Sequence, residues 1–300
     1  MPPTTLYIIG NGFDLWHGIP STFGHFKDYV QNVDSDVYRE VEEYLPAGEN
    51  WSELEQALSM LDSDMLIDNL GHFMASYSDD DWSDSGHHDF QYEVENVADR
   101  LSKELQAHFA DWVRTLHIPT RDNVPRALSY LDQQALFLNF NYTSTLSSVY
   151  AVSPQYILFI HGCAAKLNET LILGHAWNPS ARRSLNDRHD ISEMDTRLME
   201  ANDIIDNYFS LTFKHSAEII AKNSTFFESL VAVEQVIVLG HSLSDVDAAY
   251  FQALLAQPSV AQAQWTIAVR DLNEWPDKQS LLAALDLPLN NAKPVLWQDL

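Results

Sequence analysis

Cysteine is almost missing from this chain: among 300 residues only Cys163 is one. A lone thiol excludes an intrachain disulfide and any zinc site built from several cysteines, and it suits a reducing compartment. Basic residues are scarce too, with 17 Lys and Arg against 43 Asp and Glu and a formal charge of −26. So acidic a surface repels phosphate backbones and anionic headgroups, which makes nucleic acid and membrane poor partners. An anionic nucleotide would have to rest its phosphates on backbone N–H groups and helix N-termini. No apolar run approaches the roughly 18 residues of a membrane span. Met1-Pro2-Pro3-Thr4-Thr5 carries neither a basic region nor a cleavage motif, so a soluble cytoplasmic protein is expected. No Gly-x-Ser-x-Gly elbow and no Walker A lysine loop occurs, which leaves triad-hydrolase and ATPase readings unsupported.

What the chain does have is a series of short apolar runs, each ending in Gly, Asn or His. Leu6–Ile9 leads into Gly10-Asn11-Gly12, and Ala135–Leu138 into Asn139-Phe140-Asn141-Tyr142. Tyr156–Ile160 leads into His161-Gly162, Leu171–Leu173 into Gly174-His175, and Val236–Leu239 into Gly240-His241-Ser242. Trp265–Val269 and Val295–Trp297 are further candidate strands. Residues apolar in succession suit strands covered on both faces, so an α/β, Rossmann-like parallel sheet between helix layers is expected. Ligands of such sheets bind beyond the carboxyl ends of the strands, where these polar tips would gather.

Helical patterns fill the gaps. Ser52-x-x-Glu55 reads as a capping box ahead of Leu54, Leu58, Leu61 and Met65 at helical spacing. Val94, Val97, Ala98, Leu101, Leu105, Phe109, Trp112 and Leu116 form a longer stripe. Residues 191–230 carry two more helices, with Met194, Leu198, Phe209, Phe213, Ile219, Ile220 and Phe227 apolar. The chain thus reads as a single domain over 1–300 with helical insertions at about 50–118 and 191–230. Residues 78–86 form an acidic loop, and His87-His88-Asp89 lacks a companion at ligand spacing, so no metal site is expected.

Each candidate site also has a structural explanation. Gly10 and Gly12 allow a backbone to approach a phosphate closely, with Asp14 behind them, but Leu15 stands where a dinucleotide fingerprint needs glycine, and a plain tight turn is equally good. Asn139 and Asn141 fall on one side of their strand end and could grip ribose hydroxyls or orient a water; alternatively they, or Thr143, cap the following helix. His161 is a candidate general base, with Gly162 leaving room for a ligand, though a lone histidine after a strand is often structural. Gly240, His241 and Ser242 open a helix expected over 246–255, which Ser244, Asp245 or Asp247 could cap.

Taken together, Ile8 through Leu15 with His17-Gly18-Ile19-Pro20, Trp51–Glu55, Asn139–Thr143, Ile160-His161-Gly162 and Gly240–Asp247 resemble the AbiH family, linked to bacterial defence against phage. More distantly they resemble the sirtuin-like superfamily. That resemblance implies a site for NAD or a related nucleotide: Gly10, Asn11, Gly12 and Asp14 at the phosphates and ribose, and Asn139, Asn141 and Thr143 by the nicotinamide ribose. It further implies His161 as base, with Gly240, His241, Ser242 and Asp245 on the adenosine side. Thr143 stands where sirtuins usually carry Asp, and Asn11 where they have Ala. The zinc cysteines of deacylases are missing, so lysine deacylation is not implied. The implied activity is hydrolysis at the N-glycosidic bond, with Asn141 and His161 as the reactive pair. A nucleotide sensor without catalysis and an ADP-ribose transferase are the alternatives. An unidentified phage trigger is the implied partner, and the insertions are candidates for control or for homo-oligomer contacts.

Overall fold

The computed structural model describes residues 2–74, 88–287 and 289–300. The acidic loop and His87 lie outside them. Six parallel strands form one sheet: β1 (Thr5–Ile9), β2 (Leu136–Asn139), β3 (Ile157–Phe159), β4 (Gln235–Leu239), β5 (Gln264–Val269) and β6 (Ala292–Leu296). Their order is β3-β2-β1-β4-β5-β6. The order reverses between β1 and β4, the position where sheets of this kind open a crevice for ligands.

Alternation along each strand divides the core between the two faces. Leu6, Ile8, Leu138, Val236, Val238, Trp265 and Ile267 pack on one face with Tyr250, Phe251 and Leu254. Tyr7, Ile9, Phe137 and Leu239 pack on the other with Phe13, Leu146, Val149 and Tyr150. Both faces are covered, as the unbroken apolar runs require.

Two compact units divide the chain. The sheet belongs to residues 2–22, 110–172 and 215–300, while 23–109 and 173–214 form a helical unit. The stripe from Val94 forms a continuous helical run, Asp89–Asp99, a π-helical turn Arg100–Glu104, then Leu105–Thr115. In the helical unit, Phe26 packs edge-on to Trp51 and Phe109, at 5.7 and 5.3 Å between ring centroids. Residues 216–230, read in the sequence as part of an insertion, belong with the sheet: Phe227 and Leu230 are core residues beneath it, and Ile219 and Ile220 pack against them.

Three sequence expectations fail locally. The capping box does not form: Asn50 and Trp51 take left-handed backbone (φ 53° and 55°), and Glu55 pairs with the buried Lys214 at 2.6 Å. The expected helix therefore breaks into Leu54–Ala57 and Ser63–Leu70, the second capped by Asp62 through the Met65 N–H. Leu171–Leu173 is not a strand. Ile172 instead donates its N–H to the His161 carbonyl and accepts the Tyr142 hydroxyl, so its backbone braces the loop after β3. Finally, the helix expected over 246–255 starts as a 3-10 turn, Asp245–Asp247, before Ala248–Leu255, and Ser244 makes no side-chain cap.

Candidate functional site

Strand register sets the site. Phe159, Asn139, Ile9 and Leu239 are consecutive partners across β3, β2, β1 and β4. Ladder bonding continues one residue further, with Ile160, Phe140 and Gly10 donating to Asn139, Ile9 and Leu239. Two residues beyond the shared row come His161, Asn141, Asn11 and His241. Four of the sequence-predicted residues therefore stand at one level of the carboxyl rim.

Side chains there form two groups, one for each side of the β2 end. Phe140 is the floor of the first. Its ring lies 5.5 Å from that of His161 and 4.3 Å from that of His241, with Tyr250 at 5.6 Å. Above it His161 Nε2 lies 3.7 Å from Asp247 Oδ1, and His241 Nε2 lies 3.3 Å from Asp247 Oδ2. His161 follows β3 and His241 follows β4, three strand spacings away, or roughly 14 Å. For both imidazoles to face one carboxylate, the two loops must arch inward over the ends of β2 and β1. All three side chains are buried, at 3, 5 and 7% exposure. Against such an apolar floor, charge interactions outweigh those in water. The Leu243 N–H donates to His241 Nδ1 at 2.9 Å, so the neutral ring carries its proton on Nε2, toward Asp247.

Asp14 centres the second group. It is 1% exposed, and its carboxylate accepts the hydroxyls of Thr143 at 2.6 Å and Thr145 at 2.7 Å. Burial pushes its pKa up to about 6, although the hydrogen bonds from Thr143, Thr145 and Asn141 work the other way. Asn141 Nδ2 donates to the Gly10 carbonyl, and Asn139 Oδ1 accepts the Asn141 N–H. Behind Asp14, His17 donates from Nδ1 to the Phe13 carbonyl at 2.6 Å. That leaves Nε2 to accept the Tyr150 hydroxyl, also at 2.6 Å. Burial lowers the His17 pKa, in keeping with this neutral form.

The glycines serve the backbone. Gly10 and Gly12 donate their N–H groups to Leu239 and Gly240 carbonyls at 3.0 and 2.9 Å. A Cβ on Gly12 would stand 2.7 Å from Gly240 Cα, and one on Gly240, whose φ is +74°, only 2.2 Å from Phe13 N. Removing side chains thus lets the loops after β1 and β4 touch at the switch point. Gly162 was expected to leave room for a ligand. The chain itself fills that room: φ is +94°, and an added Cβ would meet the Thr170 carbonyl at 2.5 Å. Asn11, Ser242 and Asp245 are exposed at the rim, with Asn11 Oδ1 accepting the Ser21 hydroxyl at 2.5 Å. His175, paired with Gly174 in the sequence reading, lies in the helical unit, where burial lowers its pKa to about 4.

Sequence reasoning treated Asp247 only as a helix cap and overlooked Thr145 and Lys278. For Asp247 the available signal was its place six residues after His241, on the same loop. Among the described residues, no group of three or more His, Cys, Asp or Glu side chains is arranged to hold a metal, and no helix is long and apolar enough to cross a membrane.

A family model, bacteriophage abortive infection AbiH, matches residues 6–269. The chain belongs to the AbiH family. Its functional context is accordingly abortive infection by phage. All the rim residues described above fall within the matched AbiH span. Comparisons with curated proteins and with solved structures found no match.

Proposed function

We propose that this AbiH chain cleaves NAD, or a related nucleotide, at the N-glycosidic bond, with His161 as base in a centre completed by Asp247 and His241. The observation that supports this most is the pair of imidazoles facing one buried carboxylate at the rim, beside the switch point of the sheet. The more distant resemblance to sirtuin-like proteins supplies the substrate class. The Asp247 carboxylate beside the ring stabilises the imidazolium that forms as His161 takes the proton. In the reaction, water attacks the ribose C1′ and gives its proton to His161. The C–N electron pair leaves with nicotinamide, neutralising its positive ring. Asn141 stands in the other group, across the β2 end, where its Nδ2 bond to the Gly10 carbonyl holds the loop after β1.

A second reading is a nucleotide sensor without catalysis. It is favoured by the engagement of the Gly10 and Gly12 N–H groups within the protein and by the deep burial of His161. Incubating the protein with NAD and following free nicotinamide separates the two. Release should fall about 10²–10⁴-fold in His161→Ala. Binding of NAD without any release by the unaltered protein would leave the sensor reading standing, and equal rates with and without His161 would remove its role as base.

A further inference from the structure

Lys278 stands in the first turn of the helix Trp275–Ala284, which follows β5 and so begins at the carboxyl rim. Its Nζ donates to the carbonyl oxygens of His241 at 3.2 Å and Ser242 at 3.0 Å. Both acceptors are neutral, so these bonds hold the ammonium in place without cancelling its charge. Three other cations of the sheet-bearing unit face acids directly, Arg270 meeting Glu274 at 2.7 Å, Lys166 meeting Glu169 at 3.3 Å and Arg114 meeting Asp111 at 3.6 Å. Arg121 and Arg126 lie over the Tyr150 and Trp16 rings. Lys278 feels Glu274 only at a distance, that carboxylate being taken by Arg270. An ammonium has three N–H donors, and two bonds to carbonyls leave one for a ligand.

The loop that Lys278 grips is itself fixed in shape. Gly240 and Leu243 both take left-handed backbone, at φ +74° and +66°. A non-glycine residue held there is strained and persists only where its surroundings enforce it. Here they are the His241 ring, which accepts the Leu243 N–H, and the Lys278 ammonium. Burial also lowers the Lys278 pKa, the sign of a charge partly stripped of water. The glycine turn after β1, by contrast, has its Gly10 and Gly12 N–H groups engaged, so an anion at this rim needs a donor elsewhere.

We propose that Lys278 is the phosphate-recognising residue of the rim, selecting phosphorylated nucleotides over bare nucleosides. The proposal rests on the nucleotide reading of the site and names what that ligand must carry. In a chain of charge −26, one fixed cation beside the β4 loop gives a polyanion a place to dock despite the surrounding field.

The test is calorimetric titration of the full chain with ADP, adenosine and inorganic pyrophosphate, in the unaltered protein, Lys278→Met and Lys278→Arg. The methionine variant should weaken ADP about 10–100-fold, the loss expected for one charge-assisted hydrogen bond. It should leave adenosine within about twofold, and arginine should restore ADP to within about fivefold, since it keeps the charge. Parallel weakening of ADP and adenosine would make Lys278 a clip for its loop and overturn the proposal, as would no change in either. Unaltered protein that binds adenosine and ADP equally would overturn the phosphate role while leaving the nucleotide reading intact. If it binds none of the three probes, the nucleotide reading itself falls.

Discussion

Asp14 shows how a single residue ties the candidate site to stability. Its carboxyl is buried without a cation, and two threonine hydroxyls satisfy its oxygens. Burial raises its pKa from 3.8 to about 6. The folded protein therefore binds more protons than the unfolded chain between roughly pH 4 and 6, and stability must fall as pH rises through that window. A displacement of that size corresponds to about 3 kcal/mol, fully expressed above the upper limit. In Asp14→Asn, the side-chain oxygen and amide can still bond Thr143 and Thr145, and the titration disappears. Urea unfolding of both proteins between about pH 4 and 7.5 should show the variant gaining on the unaltered protein by about 2–3 kcal/mol as pH rises. Taking the difference removes other titrating groups. Glu40, which burial raises to about 7, slopes the same way, and His175, lowered to about 4, slopes the opposite way. A constant difference across the range would show that Asp14 ionises as freely in the fold as outside it.

Elements were legible in the sequence to the degree that apolar runs reported burial on both faces. Five of the six strands coincide with such runs, and the parallel order follows from helices between them. β6 shares only Val295 and Leu296 with the run Val295–Trp297, because Trp297 opens a 3-10 turn. The run Leu171–Leu173 shows the limit of that signal: Leu171 is buried, but by packing under the loop after β3 rather than by pairing in the sheet. The site was legible as a level and not as a set of contacts. Sequence placed His161, Asn141, Asn11 and His241 at strand ends, whereas their partners come from loops whose inward arch no periodicity encodes. Glycine was the most misleading residue, because close approach of a ligand and close approach of another loop place the same demand on it. The loops after β1 and β4 give a test at this scale. Gly240→Ala would force a Cβ to 2.2 Å from Phe13 N in a left-handed backbone, and parting the loops should cost about 3 kcal/mol or more. Gly71→Ala, with nothing within 4 Å of an added Cβ, is the control, and its unfolding free energy should change by less than about 1 kcal/mol. Equal unfolding midpoints for the two variants would mean that the loops do not need their contact.

At the scale of the whole chain, charge is the dominant feature. With 43 acids against 17 bases, most carboxylates have no cation to meet, and several of the cations are already in pairs. Folding brings the excess acids closer together than they stand in an expanded chain, so the folded state carries the larger self-repulsion. At low ionic strength this repulsion is scarcely screened, because the Debye length is about 30 Å at 0.01 M and falls to about 10 Å at 0.1 M. Added salt also weakens the surface ion pairs, but exposed pairs such as Arg183–Asp187 contribute only about 0–1 kcal/mol each. The repulsive part should win. Raising sodium chloride from about 0.01 to about 0.2 M is therefore expected to lift the melting temperature by several degrees. Chloride is the right anion for this, since sulfate would also strengthen apolar burial and confuse the cause. A melting temperature that fell with added chloride would show that the ion pairs, few as they are, outweigh the repulsion among the carboxylates they leave over.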